Sequence, residues 1–354
     1  CLWLCLGFAV VMTVLTTIFC RDILVLMQTP EDIVDGAYQY IWVIFLGIPT
    51  TYLYNMVSGV IRALGDSKTP VIFLVLSSFV NIVLDLFFII NLNMGVAGAA
   101  WATVIAQGVS GVSCLLFMIK KFELLHIQKE EWAPDSHMMR VLCGMGIPMG
   151  LQYSITAIGS VVLQAAANTL GSAAVAAMTA AGRIGSFLAC PFDAMGSTMA
   201  TYGGQNVGAG KLERIGKGLR ACVMLGAGYS VIAVLISIFL GRPLAILFMD
   251  GSETAIIDNV RLYLLINTVF YFPLALVNIV RFLIQGMGFP KFAILAGVFE
   301  MVARTLAGFL LVPVLGFLGV CLGSPIAWVM ADVFLIPAYF HVSGRLKKRM
   351  AGTD

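Results

Sequence analysis

Apolar runs of about 20 residues, the length a helix needs to cross a bilayer core, recur along the whole chain. They fall at roughly 1–20, 38–61, 70–91, 94–119, 141–169, 172–203, 219–241, 261–285, 291–314 and 318–342. The pattern predicts an all-α polytopic protein with about ten transmembrane helices. Pro49, Pro148, Pro191 and Pro273 interrupt these runs. Such breaks are tolerated in spanning helices and often flank a cavity.

Composition agrees with the pattern. The 354 residues are 60% hydrophobic and 11% charged, against about 25% charged in a soluble domain, and the mean hydropathy is +0.99. The eight cysteines show no paired spacing, which argues against a disulfide framework or a zinc site. His126, His137 and His341 lie in or near polar loops, so a histidine-based metal or catalytic centre is not expected. No Ser/His/Asp set or nucleic-acid motif is present. GQNVGAGK (204–211) lacks the first glycine and the final Ser/Thr of a phosphate loop. It reads as a tight turn, and no enzymatic activity or cofactor is expected.

Basic residues sort by loop parity. Arg62, Lys68, Lys120, Lys121, Lys129, Arg140, Lys211, Arg214, Lys217, Arg220 and Lys291 fall in one set of loops, and Arg345, Lys347, Lys348 and Arg349 fall in the tail. The alternate loops hold little beyond Arg21 and Arg242. Lysine and arginine concentrate on the cytoplasmic side, so a multi-pass inner (plasma) membrane protein with both ends of this chain in the cytoplasm is expected.

Two segments repeat about 223 residues apart. IRALGDSKTP (61–70) aligns with IQGMGFPKFA (284–293), GVAGAAWA (95–102) with GVCLGSPI (319–326), and Pro49 with Pro273. Parallel repeats of this kind relate the halves of many transporters. The expected organisation is an incomplete N-terminal lobe over 1–120, a cytoplasmic linker over 121–140, a six-helix lobe over 141–342 and a basic tail over 343–354. The helices between 137 and about 210 have no partner in the first half, and the chain starts CLWLCLGFAV without Met or a basic leader. A parent of twelve helices, lacking its first two here, is the expectation.

RALGDSKTP (62–70), NIVLD (81–85), GVAGAAWATVIAQ (95–107), GQNVGAGKLERIGKG (204–218) and LVPVLGFLGVCLGSPIAW (311–328) together resemble the multidrug and toxic compound extrusion (MATE) family. The resemblance implies a V-shaped pair of six-helix lobes. It also implies export of organic, often cationic compounds in exchange for Na⁺ or H⁺. Its first-lobe ion site falls here on Asn55, Asn81, Asp85 and Thr103, with a further acid on a helix before residue 1. The second-lobe acids of some members have no counterpart in GLQYSITAIGSVVLQ or YFPLALVNIV.

The residues themselves single out Asp85. Asn81 and Asp85 are four apart and share a helix face. A charge near the bilayer centre costs about 2.5–3.5 kcal/mol, so an acid there needs a reason. Asp85 lies about six residues, or about 9 Å, from its helix end, and Thr103 lies at similar depth on the next helix. Carboxylate, amide and hydroxyl oxygens suit a hard cation. The alternative is a buried acid satisfied by neighbouring amides.

Gln152, Thr156, Ser160, Gln164 and Asn168 form a polar stripe, readable as a substrate-cavity wall or as interhelical hydrogen bonding. Glu300 and Arg304, four apart, read as an intramembrane ion pair with Arg281 as a third member, or as a coupling or charge-recognition site. Asp193 is a weaker candidate. The expected partners are small organic substrates and the lipid bilayer, not nucleic acid, and a monomer is expected. A lipid-linked precursor flippase and a non-transporting channel or scaffold are the competing readings.

Overall fold

The computed structural model describes residues 2–26, 33–122, 133–248 and 253–350, and every regular element among them is helical. The chain divides into two compact units, Cys1–Leu142 and Cys143–Asp354. The boundary falls inside a helix, a little beyond the expected linker, and residues 123–132 of that linker lie outside the described residues.

The first unit contains α1 (Leu2–Ile18), α2 (Cys20–Leu26), α3 (Val34–Leu46), α4 (Ile48–Ala63), α5 (Lys68–Leu86) and α6 (Gly95–Lys121). The second contains most of α7 (Ser136–Asn168), then α8 (Ser172–Gly208), α9 (Leu212–Ile246), α10 (Thr254–Val269) and α11 (Tyr271–Gly286). It closes with α12 (Pro290–Leu306), α13 (Val312–Leu315) and α14 (Phe317–Met350), so helix continues through residues 343–350 of the expected tail.

Seven stretches among the described residues are each long and apolar enough to cross a membrane, and two bent pairs raise the number to at most nine. The pairs are α3–α4, bent by 43°, and α10–α11, bent by 52°. The expected tenth span corresponds to α1, which is apolar but shorter at 17 residues. The bends follow from Pro49 and Pro273, which sit in the first turn after each break. Proline starts a helix readily but cannot continue one without losing a hydrogen bond. Pro148 and Pro191 instead lie inside unbroken α7 and α8.

The chain is apolar on its outside. On α5, Val71, Val75, Phe79, Ile82 and Leu86 are exposed at three- and four-residue intervals, whereas Pro70 and Ser77 are its buried residues. A contiguous apolar face of this size in water would drive association; against lipid it is the proper surface.

The two units repeat at backbone level. Gly65 and Gly288 both adopt φ +93°, and Gly95 and Gly316 both adopt φ +56°. α5 and α12 each run into a five-residue π-helical turn, Phe87–Asn91 and Ala307–Leu311. This corrects the sequence alignment, which matched 95–102 with 319–326. Gly95 corresponds to Gly316, because α12, at 17 residues, is two shorter than α5, at 19.

In the first unit, Asp66 locks the turn before α5 to the end of α6. Its carboxylate accepts from the Thr69 backbone N–H at 3.1 Å, the Thr69 hydroxyl at 2.8 Å and Lys121 Nζ at 3.0 Å. The Thr69 N–H first, and then Lys121 and the Thr69 hydroxyl, hold its carboxyl well below the usual carboxylate range. The second unit puts Phe289 in the turn position of Asp66, with the Arg345 guanidinium 5.9 Å over its ring. A depressed folded pKa contributes stability above the unfolded value and loses it as pH falls through the folded one. Asp66→Asn is therefore expected to lower the melting temperature at pH 7. The difference from wild type should close as pH falls below about 4, as read by thermal melts in detergent across pH.

In the second unit, α11 lies directly on α8. A side chain at Gly286 would run into the Ala200 backbone, and one at Gly203 would meet Leu283. Small residues permit such close helix approach in membranes. Gly286→Val is expected to destabilise the second unit by about 1–3 kcal/mol or more, the usual cost of overpacking, measured by the same melts.

Candidate functional site

The first-unit site grows out of the α5–α6 contact. Ser110 Oγ donates to the Phe73 carbonyl at 3.2 Å, and Ser77 Oγ donates to the Ala106 carbonyl at 2.8 Å. One turn further, Asn81 Nδ2 meets Thr103 Oγ1 at 3.5 Å, and the Thr103 hydroxyl donates to the Ala99 carbonyl at 3.0 Å. The three contacts step regularly along two antiparallel helices. Asp85 lies one turn beyond Asn81, immediately before the π-helical turn at Phe87. Its Oδ1 is buried and has no hydrogen-bond partner. Turns of π-helix in α-helices are frequently functional, and a buried acceptor left unpaired is costly.

The structure leaves Asn55 out of this group. Asn55 is exposed on α4, and its Nδ2 donates to the Thr51 carbonyl of the same helix at 3.0 Å. α4 packs mainly on α6 rather than on α5. The side chains brought together are therefore Asn81, through its Nδ2, and Thr103, with Asp85 a turn away.

The polar stripe on α7 divides. Gln152 is buried, and its Oε1 accepts from Gln285 Nε2 of α11 at 2.9 Å. Thr156 Oγ1 is buried without a partner beside Gly297 of α12. Ser160 donates to the Thr156 carbonyl, and Gln164 donates to Asn168, both within α7. For Gln152 the interhelical reading describes what the side chain does.

The second unit buries a charged cluster. Arg281 of α11 donates to Glu300 Oε1 at 2.7 Å and to Asn278 Oδ1 at 3.1 Å. Arg304 reaches Glu300 Oε2 at 3.2 Å, so one carboxylate holds two guanidinium groups. Arg281, Glu300 and Arg304 are 7%, 2% and 5% exposed, which places the whole cluster out of solvent.

Sequence reasoning missed Asp332 on α14. It is buried, its Oδ1 has no partner, and it interacts electrostatically with both Glu300 and Arg281. The signal was the one that marked Asp85, a lone acid in an apolar run (VMADVFLIP). Asp193, flagged from sequence, is exposed on α8 and feels Arg281.

With this geometry in view, the MatE family profile matches residues 1–87 and 148–310, well over half of the chain. The chain belongs to the MatE family. The matched part of this MatE chain includes Asn81, Asp85, Arg281, Glu300 and Arg304, while Thr103 and Asp332 fall outside it.

Probable multidrug resistance protein YpnP of Bacillus subtilis (strain 168) is 34% identical over 194 residues, covering 54% of this chain and 42% of that protein. Probable multidrug resistance protein NorM of Thermotoga maritima is 26% identical over 355 residues, covering 96% of this chain and 74% of that protein. The chain spans about half the length of the Bacillus subtilis relatives it matches.

Among solved structures, the outward-facing conformation of a multidrug resistance MATE family transporter of the MOP superfamily superposes with a TM-score of 0.92 at 24% identity. The match covers 98% of this chain and 78% of that one. At that identity the likeness is one of fold. With its spanning helices, the chain is a multi-pass membrane protein.

Proposed function

We propose that the protein is a secondary active antiporter. It exports organic, cationic or drug-like compounds in exchange for Na⁺ or H⁺ by alternating access, with Asp85 as the coupling carboxylate. The carrying observation is the buried, unpartnered Asp85 Oδ1 beside the Asn81–Thr103 pair on helices that span the bilayer. The multidrug resistance names of YpnP and NorM support the substrate class. The loop charges support a plasma-membrane protein with both ends of this chain cytoplasmic.

Asp85 alone supplies what a proton needs. Asn81 and Thr103 add amide and hydroxyl oxygens of the kind a hard cation prefers. Cation binding at Asp85 shifts the population toward the state that binds substrate weakly. Linkage makes that antagonism reciprocal, because substrate weakens cation binding by the same factor. No cofactor takes part.

The test is efflux of a fluorescent organic cation from proteoliposomes holding the full-length protein, with Na⁺ and pH gradients imposed separately. Efflux driven by one of the gradients is the expected result. Efflux that follows only the substrate's own gradient contradicts the antiporter reading.

A further inference from the structure

In the second-unit cluster, Glu300 is bound to both guanidinium groups, Arg281 and Arg304. Among the described residues, Asp332 is the buried acid beside this group that makes no ion pair. Arg281 and Asp332 sit on two helices that pack together, α11 and α14. Arg281 Nε is a buried donor without an acceptor, and Asp332 Oδ1 is a buried acceptor without a donor.

We propose that Asp332 is a second proton-binding site, in the Cys143–Asp354 unit, and that its protonation decides whether Arg281 is held by Glu300 alone or shared with Asp332. With the proton on, the cluster carries one net positive charge and Arg281 bridges α11 to α12, as observed. With the proton lost to water, Asp332 competes for Arg281, repels Glu300 and draws the bridge toward α14. The two arrangements form a two-state element that a proton can bias.

The groups facing Asp332 come from the helices packed on α14. They are Glu300 from α12, itself held by Arg304 of the same helix, and Arg281 from α11. From α10, Tyr263 interacts with Arg304, while Asp258 and Arg261 pair with each other in an exposed position. Asp193 of α8 acts on Arg281. Asp332 itself, on α14, lies on a different helix from the second-lobe acids implied by the family resemblance.

The inference goes beyond coupling at Asp85, and its test does not require transport. Infrared difference spectroscopy of the full-length protein in lipid, titrated with pH, reads the carbonyl stretch of a protonated carboxylic acid directly. The expected result is a titrating band that is lost in Asp332→Asn, retained in Asp85→Asn, and moved in midpoint by Arg281→Lys. A carboxylic-acid spectrum that Asp332→Asn leaves unaltered at every pH overturns the proposal. If Asp332→Asn does not fold, Asp332→Glu keeps the acid, and its band should shift in frequency and midpoint. An unshifted band in folded Asp332→Glu overturns the proposal equally.

Discussion

Replacing Glu300 with glutamine is expected to destabilise the second unit by about 3–5 kcal/mol, the usual cost of removing one partner from a buried ion pair. Glu300 is 2% exposed and carries the only two carboxylate contacts that Arg281 and Arg304 make among the described residues. The variant leaves two buried guanidinium groups, and Arg304 Nε and Nη1 already lack acceptors. Thermal unfolding in detergent reads the loss. Replacing Arg304 with methionine should cost less, because Glu300 would keep its shorter contact to Arg281 at 2.7 Å. Equal melting temperatures for wild type and Glu300→Gln would show that the cluster does not hold α11 to α12.

Asp85→Asn is the second large effect. Coupling free energies are about 1–3 kcal/mol, or about 5–150-fold in affinity. Substrate affinity of the full-length protein should therefore change by a factor in that range with pH or Na⁺. In Asp85→Asn, which keeps the size but not the charge or the exchangeable proton, that dependence should vanish. Equilibrium binding of a fluorescent cation across pH and Na⁺ reads it. The variant should fold normally, since Asp85 Oδ1 makes no hydrogen bond whose loss would unsettle the helix.

Most of the spans and the existence of the repeat were legible because each depends on counting along one helix or across one short turn, whereas the count that set Thr103 level with Asp85 was off by a turn, since Thr103 meets Asn81. A four-residue step fixes a face, and a residue count from the helix end fixes a depth. Asn55 was not legible in this way. Its face depends on the rotation of α4 after the bend at Gly47, and in the structure it is exposed with its Nδ2 on the Thr51 carbonyl of its own helix. The repeat offset slipped from 223 residues at Gly65/Gly288 to 221 at Gly95/Gly316 because the second unit shortens one helix.

Gln285 meeting Gln152, 133 residues away, needs the tertiary fold. Asp332 lacked the polar neighbour at four residues that drew attention to Asp85, although it is the more buried of the two. Glu300 and Arg304 were read together from their four-residue spacing, with Arg281 as a third member. Which oxygen of Glu300 takes which arginine could come only from the packing of α11 on α12.

The central claim is that Asp85 couples export to an ion gradient. Proteoliposomes with the full-length protein and with Asp85→Asn, loaded with a fluorescent organic cation, test it under separately imposed Na⁺ and pH gradients. The prediction is that one gradient drives efflux by the wild type and neither accelerates efflux by Asp85→Asn. Gradient-driven efflux by Asp85→Asn at the wild-type rate would contradict the assignment.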